Sequence, residues 1–221
     1  MTVRIRPAIS LDALAIVSIA AEVWPEERLD AAVVGALIGE GGRSTLVAEL
    51  DGRVVGFVDG FVTSAADGSV RWEVDLLAVS PSAQGQGVGR QLVSAGVFSG
   101  AQAGAVLARG LVRAGNLASE RVFDTCGFVV DHHVCELWAG EGLLPGVPSG
   151  LHVVPVRTFR YAGYWLEDVS AERLRELRPN DRRAVVGALI PTTDAAAIEA
   201  AALIGLVTAG RYRFWRRSTS G

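Results

Sequence analysis

Residues 70–93, VRWEVDLLAVSPSAQGQGVGRQLV, constrain what this chain can fold into more than any other stretch. A strand-like run ends at Val79, Ser80-Pro81 forces a turn, and glycines at 85, 87 and 89 lead into a helical pattern from Val88. A glycine-rich turn that opens a helix gathers unpaired backbone N–H groups at the positive end of the helix dipole. That is a ready site for a phosphate or pyrophosphate. The glycines are needed because a side chain would hold the ligand off the backbone, and because some positions require positive φ. The spacing excludes two familiar phosphate loops. A P-loop needs a lysine, and all 21 Lys+Arg residues here are arginine. A dinucleotide fingerprint needs a further glycine three residues after Gly89, where Leu92 stands.

What is present is Gln84-x-x-Gly87-x-Gly89 directly after the strand end Leu77-Ala78-Val79. It resembles the acetyl-CoA motif of the GNAT superfamily of N-acetyltransferases, R/Q-x-x-G-x-G/A after a strand. A second segment, Asn116-Leu-Ala-Ser-Glu-Arg-Val-Phe123-Asp-Thr-Cys-Gly127-Phe128, is similar to that family's pattern N-x-x-A-x-x-x-Y-x-x-x-G-F. The two occur in the family's order. The resemblance covers residues 2–139. It implies an α/β (α+β) GNAT fold: a mixed, mostly antiparallel central sheet flanked by helices, here with a C-terminal α/β extension. The expected organisation is a core over residues 1–140 and an extension of undefined role over 141–221.

The element pattern agrees with that fold. Thr2–Arg6 reads as a strand and Ser10 as the N-cap of a helix to Val23, with Leu11, Leu14, Val17 and Ala21 along one side. Trp24-Pro25 breaks it, and a second helix runs from Arg28 to Ile38. Asp51-Gly52 joins strands 44–50 and 53–62 as a two-residue hairpin. After the strand 70–79, a helix runs to Gln102, with Gly96 and Gly100 letting it approach the sheet. A strand over 105–113, a helix over 116–126 and a strand from Gly127 to Trp138 follow. EGLLPGVPSG reads as a linker. Beyond it the pattern gives a strand over 151–159, helices over 170–177, 181–190 and 193–206, and a strand around Tyr212 and Phe214. The heptapeptide AVVGALI occurs twice, at Ala32–Ile38 and Ala184–Ile190; it reads as coincidence in an Ala/Val-rich chain before it reads as the remnant of a duplication.

The resemblance implies transfer of the acetyl group of acetyl-CoA to a primary amine of a small molecule or peptide. Leu77, Ala78 and Val79 would then pair with the pantetheine arm. The backbone of Gln84, Gly85, Gln86, Gly87, Val88, Gly89 and Arg90 would hold the pyrophosphate. Asn116 and the helix carrying Phe123 would form the other wall. An ammonium must lose a proton before it attacks, so a base is required. Strand periodicity puts Glu73, Asp75, Leu77 and Val79 on one face, and Glu73 is the preferred base with Asp75 second. Solvated strand carboxylates, or partners of Arg109 and Arg113, are the plain alternative. Many family members carry a tyrosine where Phe123 stands, as proton donor to the leaving thiolate. Phenylalanine cannot donate, which keeps open a non-catalytic acyl-CoA-binding or regulatory module.

Other constellations carry less. On a strand Asp131, His133 and Cys135 would share a face, but no fourth ligand is spaced for a metal, and none is expected. Trp24, Glu26, Glu27 and Asp30 fall where the family lines its acceptor pocket, and equally suit an acid-rich helix start. Arg211, Arg213, Arg216 and Arg217 make a basic end that reads as a solvated edge strand and tail. A formal charge of −3 gives no pull toward nucleic acid or membrane. Two cysteines make no disulfide framework and fit a reduced, cytoplasmic setting. The segment 141–221 is read as a cover for the substrate side, a homodimer contact or a closure of the sheet.

Overall fold

The computed structural model describes residues 2–141, 150–177 and 184–219. In chain order the elements are β1 (Arg4–Pro7), α1 (Ala13–Val23), α2 (Ala31–Leu37), β2 (Arg43–Leu50), β3 (Arg53–Ser64), β4 (Val70–Val79), α3 (Val88–Gln102), β5 (Leu107–Arg113), α4 (Leu117–Thr125), β6 (Val129–Val130), β7 (Cys135–Glu141), β8 (His152–Arg157), β9 (Ala162–Glu167), α5 (Ala171–Glu176), β10 (Val185–Pro191), α6 (Ala195–Leu203) and β11 (Val207–Ser218). They form two compact units. The first holds the described residues up to Leu111, Leu117–Val130 and those from Trp215 on; the second holds Val112–Asn116 and Asp131–Phe214. The boundary therefore does not fall at a single cut near residue 140.

In the first unit β1 to β4 form an antiparallel meander and β5 joins β4 in parallel. The β2–β3 turn has positive φ at Asp51 (49°) and Gly52 (76°), the backbone that a tight two-residue hairpin demands. β6 pairs antiparallel with the end of β11, Trp215 opposite Val130. The Thr219 amide donates to the Val106 carbonyl just ahead of β5. Helix α3 lies on one sheet face, where a methyl at Gly96 would touch Val58 and Trp72 at 3.7 Å. Gly100 sits closer still: a methyl there would be 2.5 Å from Trp72 Cγ. The fully buried Trp72 thus fills the slot these glycines leave. On the other face, Trp24 at the end of α1 meets the Phe57 ring edge-on at 6.4 Å.

The second unit is built around β7. It pairs antiparallel with β10 and with the start of β11. β9 runs parallel to β10, and β8 forms a hairpin with β9. Helices α5 and α6 contribute to a core of Leu166, Leu174, Val186, Ile190, Ala200 and Leu206. Both units thus follow one succession: hairpin, parallel β-α-β crossover, helix, returning strand.

Several expectations need correction. Helix α1 buries Ala13, Ile16, Ile19 and Ala20, whereas Leu11 and Leu14 point outward, 86% and 74% exposed. The segment is apolar all round, so its composition does not fix its phase. Ser10 is not its cap; the Asp12 carboxylate folds back to accept from the Ile9 amide at 2.8 Å. The strand expected from Gly127 to Trp138 is broken at 131–134 and makes two strands with different partners. β9 is a strand that the pattern missed. The linker lies mostly at 142–149, outside the described residues, as do residues 181–183. From Val185 on, the expected helix 181–190 is instead β10. The repeated heptapeptide is therefore a helix in one place and a strand in the other. In α2 the Asp30 carboxylate accepts from the Ala32 and Val33 amides and starts a helix that buries Val34 and Leu37. In β10 the same residues sit between β7 and β9, which satisfy their backbone on both sides. Tertiary partners, not local propensity, decide.

Candidate active site

The site grows from the point where β4 and β5 part. Their parallel ladder runs from Arg71 opposite Leu107 to Val74 opposite Gly110, and β4 continues alone on that edge to Val79. Leu77, Ala78 and Val79 keep their pairing with β3, so the backbone groups on their other side face the gap. A turn at Pro81–Ala83 then brings the chain to Gln84, whose side-chain amide donates to the Val79 carbonyl at 2.9 Å and pins the turn to the strand end. Gly85 and Gly87 adopt φ of 75° and 77°, with open space where a Cβ would stand. Gly87 is the N-cap of α3, and the first helical bond there is Gln91 N–H to Gly87 O at 3.1 Å. The amides of Val88, Gly89 and Arg90 precede it and have no carbonyl one turn back. Gly89 is packing-limited, since a methyl would meet Val122 of α4 at 3.4 Å. Beside this first turn is an open hollow of about 650 Å³ that includes Arg90, Ser94, Cys126 and Arg217 in its lining.

Phe123 is buried at the fork, packed on Phe128 (4.8 Å between centroids) and Trp215 (6.3 Å). A methyl at Gly110 would lie 2.5 Å from Phe123 Cζ, so the glycine makes room for the ring where the strands separate. Arg217 is not a solvated tail residue: it donates to the Cys126 carbonyl at 2.7 Å, at the end of α4. Burial pushes the Cys126 thiol up, against the pull of Ser94, Arg217 and Arg90, which suits a packing residue rather than a nucleophile. Asn116 immediately precedes α4 and belongs to the second unit.

The carboxylates on β4 do not alternate as the sequence suggests. A bulge places Asp59 opposite Leu76 and Gly60 opposite Val74, leaving Asp75 as the extra residue. Beyond it the phase flips, and Val79 packs on the α3 side near Gly56 and Gly89. Glu73, Asp75, Leu77 and Val79 therefore do not share a face. Glu73 accepts from Arg109 Nε at 2.9 and 2.7 Å on its two oxygens and from Thr63 Oγ1 at 2.5 Å, and it forms an ion pair with Arg71 at 3.6 Å. The ion-pair reading of this residue is realised with Arg109.

The residue that sequence reasoning missed is Asp59. It is fully buried on β3, accepts from Thr45 Oγ1 at 2.7 Å and forms an ion pair with Arg43. A lone acidic residue in the otherwise apolar RVVGFVDGFV strand is the only signal that could have marked it. Asp131 and His133 lie in the break before β7, 3.5 Å apart, and not on a strand with Cys135. Among the described residues no three His, Cys, Asp or Glu are grouped as a metal would need. Asp30 is taken up as the cap of α2. No helix among the described residues is long and apolar enough to cross a membrane.

An open strand edge runs directly into a glycine turn of positive φ at a helix start. The model of the acetyltransferase (GNAT) family matches residues 13–128, and the chain belongs to that family. None of the curated proteins compared matches it. Among solved structures, one from Salmonella typhimurium with its cofactor acetyl-CoA is similar at 26% identity and TM-score 0.52, over 61% of this chain and 84% of that one. A Pyrococcus horikoshii protein shares the fold over 98% of this chain and 89% of its own, at 14% identity and TM-score 0.63. The ribosomal-protein-alanine N-acetyltransferase of Brucella melitensis is similar at 24% identity and TM-score 0.51, over 60% and 88%.

Proposed function

We propose that this chain transfers an acetyl group from acetyl-CoA to a primary amine of a small molecule or peptide. The observation that carries the reading is the edge of β4 at Leu77–Val79, beyond its ladder with β5, leading directly into the Gly85–Gly87 turn and the first-turn amides of α3. The residues fit the group. Backbone at Leu77, Ala78 and Val79 suits the amides of a pantetheine arm, as a further strand would. Residues 84–90 suit a diphosphate, with Arg90 and the open space at Gly85 and Gly87 favouring it further.

Acetyl-CoA supplies an acyl thioester: the amine nitrogen forms the new C–N bond as the C–S bond breaks. This chain's part is to strip the proton from the ammonium and to hold the carbonyl at the fork. Phe123 gives no proton to the departing sulfur, whose thiol pKa near ~8.5 makes it a tolerable leaving group unaided. The neutral ring at the fork also favours a second reading, a module that binds acyl-CoA without turnover. Free CoA release, measured against a panel of small amines and peptide N-termini, separates them. Release that depends on an amine supports the enzyme. Tight acetyl-CoA binding with no amine-dependent release supports the module.

A further inference from the structure

Arg217 lies on β11, outside the residues 13–128 that carry the family match, yet it lines the same open hollow as Arg90 beside the first turn of α3. The hollow, about 650 Å³, lies wholly within the first unit, and no acidic residue lines it. Gln91 and Ser94 of α3 add neutral polar groups to its wall. Arg90 serves both hollow and cradle. Its amide is one of the three first-turn amides with no carbonyl one turn back, while its side chain lines the hollow. Arg217 is held in place. It donates to the Cys126 carbonyl at 2.7 Å, just past the end of α4, where helix carbonyls carry negative charge. Its strand is fixed on either side, by Trp215 opposite Val130 and Arg216 opposite Val129, and by the Thr219 amide on the Val106 carbonyl at 3.2 Å. Among the described residues neither Arg90 nor Arg217 is in an ion pair. Two guanidiniums from separate elements thus face one hollow without a carboxylate, and their planar forks of donors suit a phosphate.

We infer, on the acetyl-CoA reading of the site, that this hollow takes a phosphomonoester dianion, the 3′-phosphate on the ribose of coenzyme A, and that Arg217 makes the chain prefer CoA to its dephospho form. With the diphosphate on the amides of Val88, Gly89 and Arg90, the 3′-phosphate stands one ribose away. Arg90 spans the same step, amide to side chain. A phosphomonoester has a second pKa near ~6 and carries close to two negative charges at neutral pH. Charge-assisted hydrogen bonds to it are the strong kind, and a guanidinium already tied to Cys126 loses little freedom in making them. The 3′-phosphate is remote from the thioester, so its contribution is to cofactor affinity.

The test is calorimetry on the full chain with CoA, 3′-dephospho-CoA and inorganic phosphate. At low salt CoA should bind at least ~tenfold tighter than dephospho-CoA, with the gap narrowing as salt is raised. Arg217→Gln keeps a donor for the Cys126 carbonyl. It should cut the preference to roughly threefold or less and leave dephospho-CoA affinity as it was. Equal affinities in the unmodified chain overturn the assignment, whether or not the variant folds. A preference that Arg217→Gln leaves intact also overturns it, since the phosphate then sits elsewhere. Inorganic phosphate that binds saturably and needs Arg217, with CoA and dephospho-CoA bound alike, overturns the ribose as the source and gives the hollow to a separate phosphomonoester. Binding of neither nucleotide overturns the acetyl-CoA reading instead.

Discussion

Two glycines of one helix should respond in opposite directions to the same substitution. Replacing glycine by alanine inside a helix gains about 1 kcal/mol from propensity, and each buried methyl adds up to about 0.8 kcal/mol if it fits. At Gly96 the methyl meets Trp72 and Val58 at ordinary contact distance, 3.7 Å. Gly96→Ala should therefore stabilise by roughly 1 kcal/mol. At Gly100 the methyl would fall 2.5 Å from Trp72 Cγ and 2.6 Å from its Cβ, the rooted end of a side chain that is 1% exposed and cannot swing away. Overpacking of that kind costs about 1–3 kcal/mol, and the propensity gain is smaller in the last helical turn. Gly100→Ala should destabilise by roughly 1–2 kcal/mol. Urea unfolding followed by circular dichroism reads the difference, about 2–3 kcal/mol between the variants. Trp72→Ala, which removes Cγ and the ring and leaves only Cβ, provides the control: in that background Gly100→Ala should lose much of its cost. Equal shifts of the same sign, or a cost at Gly100 that survives loss of the indole, would refute the Trp72 slot.

The repeated heptapeptide gives a second opposed pair. Gly35→Ala in α2 should stabilise by up to ~1 kcal/mol, while Gly187→Ala at the equivalent place in β10 meets the Trp165 ring at 3.2 Å and should gain nothing or lose stability. Thermal melts compare them. Gly87→Ala, at φ 77°, should weaken acetyl-CoA binding by calorimetry at least ~tenfold, since an L-residue there costs about 1–2 kcal/mol and fills the cradle. Asp59 keeps its proton up to about pH 7 when folded and only to the ordinary 3.8 when unfolded. Its contribution to stability therefore falls as pH rises between those values, by up to roughly 4 kcal/mol. Asp59→Asn should flatten that slope in denaturation series at several pH values. Asp12 has the opposite sign: the Arg6 guanidinium holds its carboxyl low, so its stabilisation is lost as pH falls through the carboxylate range, and Asp12→Asn should flatten the acid side.

The part of the fold that chemistry punctuates was legible. Asp51-Gly52, Ser80-Pro81 and the 85–89 glycines each admit few backbones, so β2 to α3 came out as expected. What failed is what only partners decide. AVVGALI carries no local preference strong enough to choose between Asp30's cap and the ladders of β7 and β9. The bulge at Asp75 is a register event between strands, invisible along one of them. It altered which residues share a face, while the sequence left Glu73 open between a base and a partner of Arg109, 36 residues away along the chain, and the structure realises the ion pair. The glycine turn was readable from one segment; the surroundings of the buried Asp59 required three strands.

The threading of β11 bears on how the polypeptide matures. The Thr219 hydroxyl donates to the Ala105 carbonyl across 114 residues, and Arg217 ties off α4 across 91. Until that late segment emerges from the ribosome, β5 lacks its neighbour and stays an adhesive edge. Such long-range closure is slow. Nascent chains should consequently linger as chaperone clients until the first unit closes.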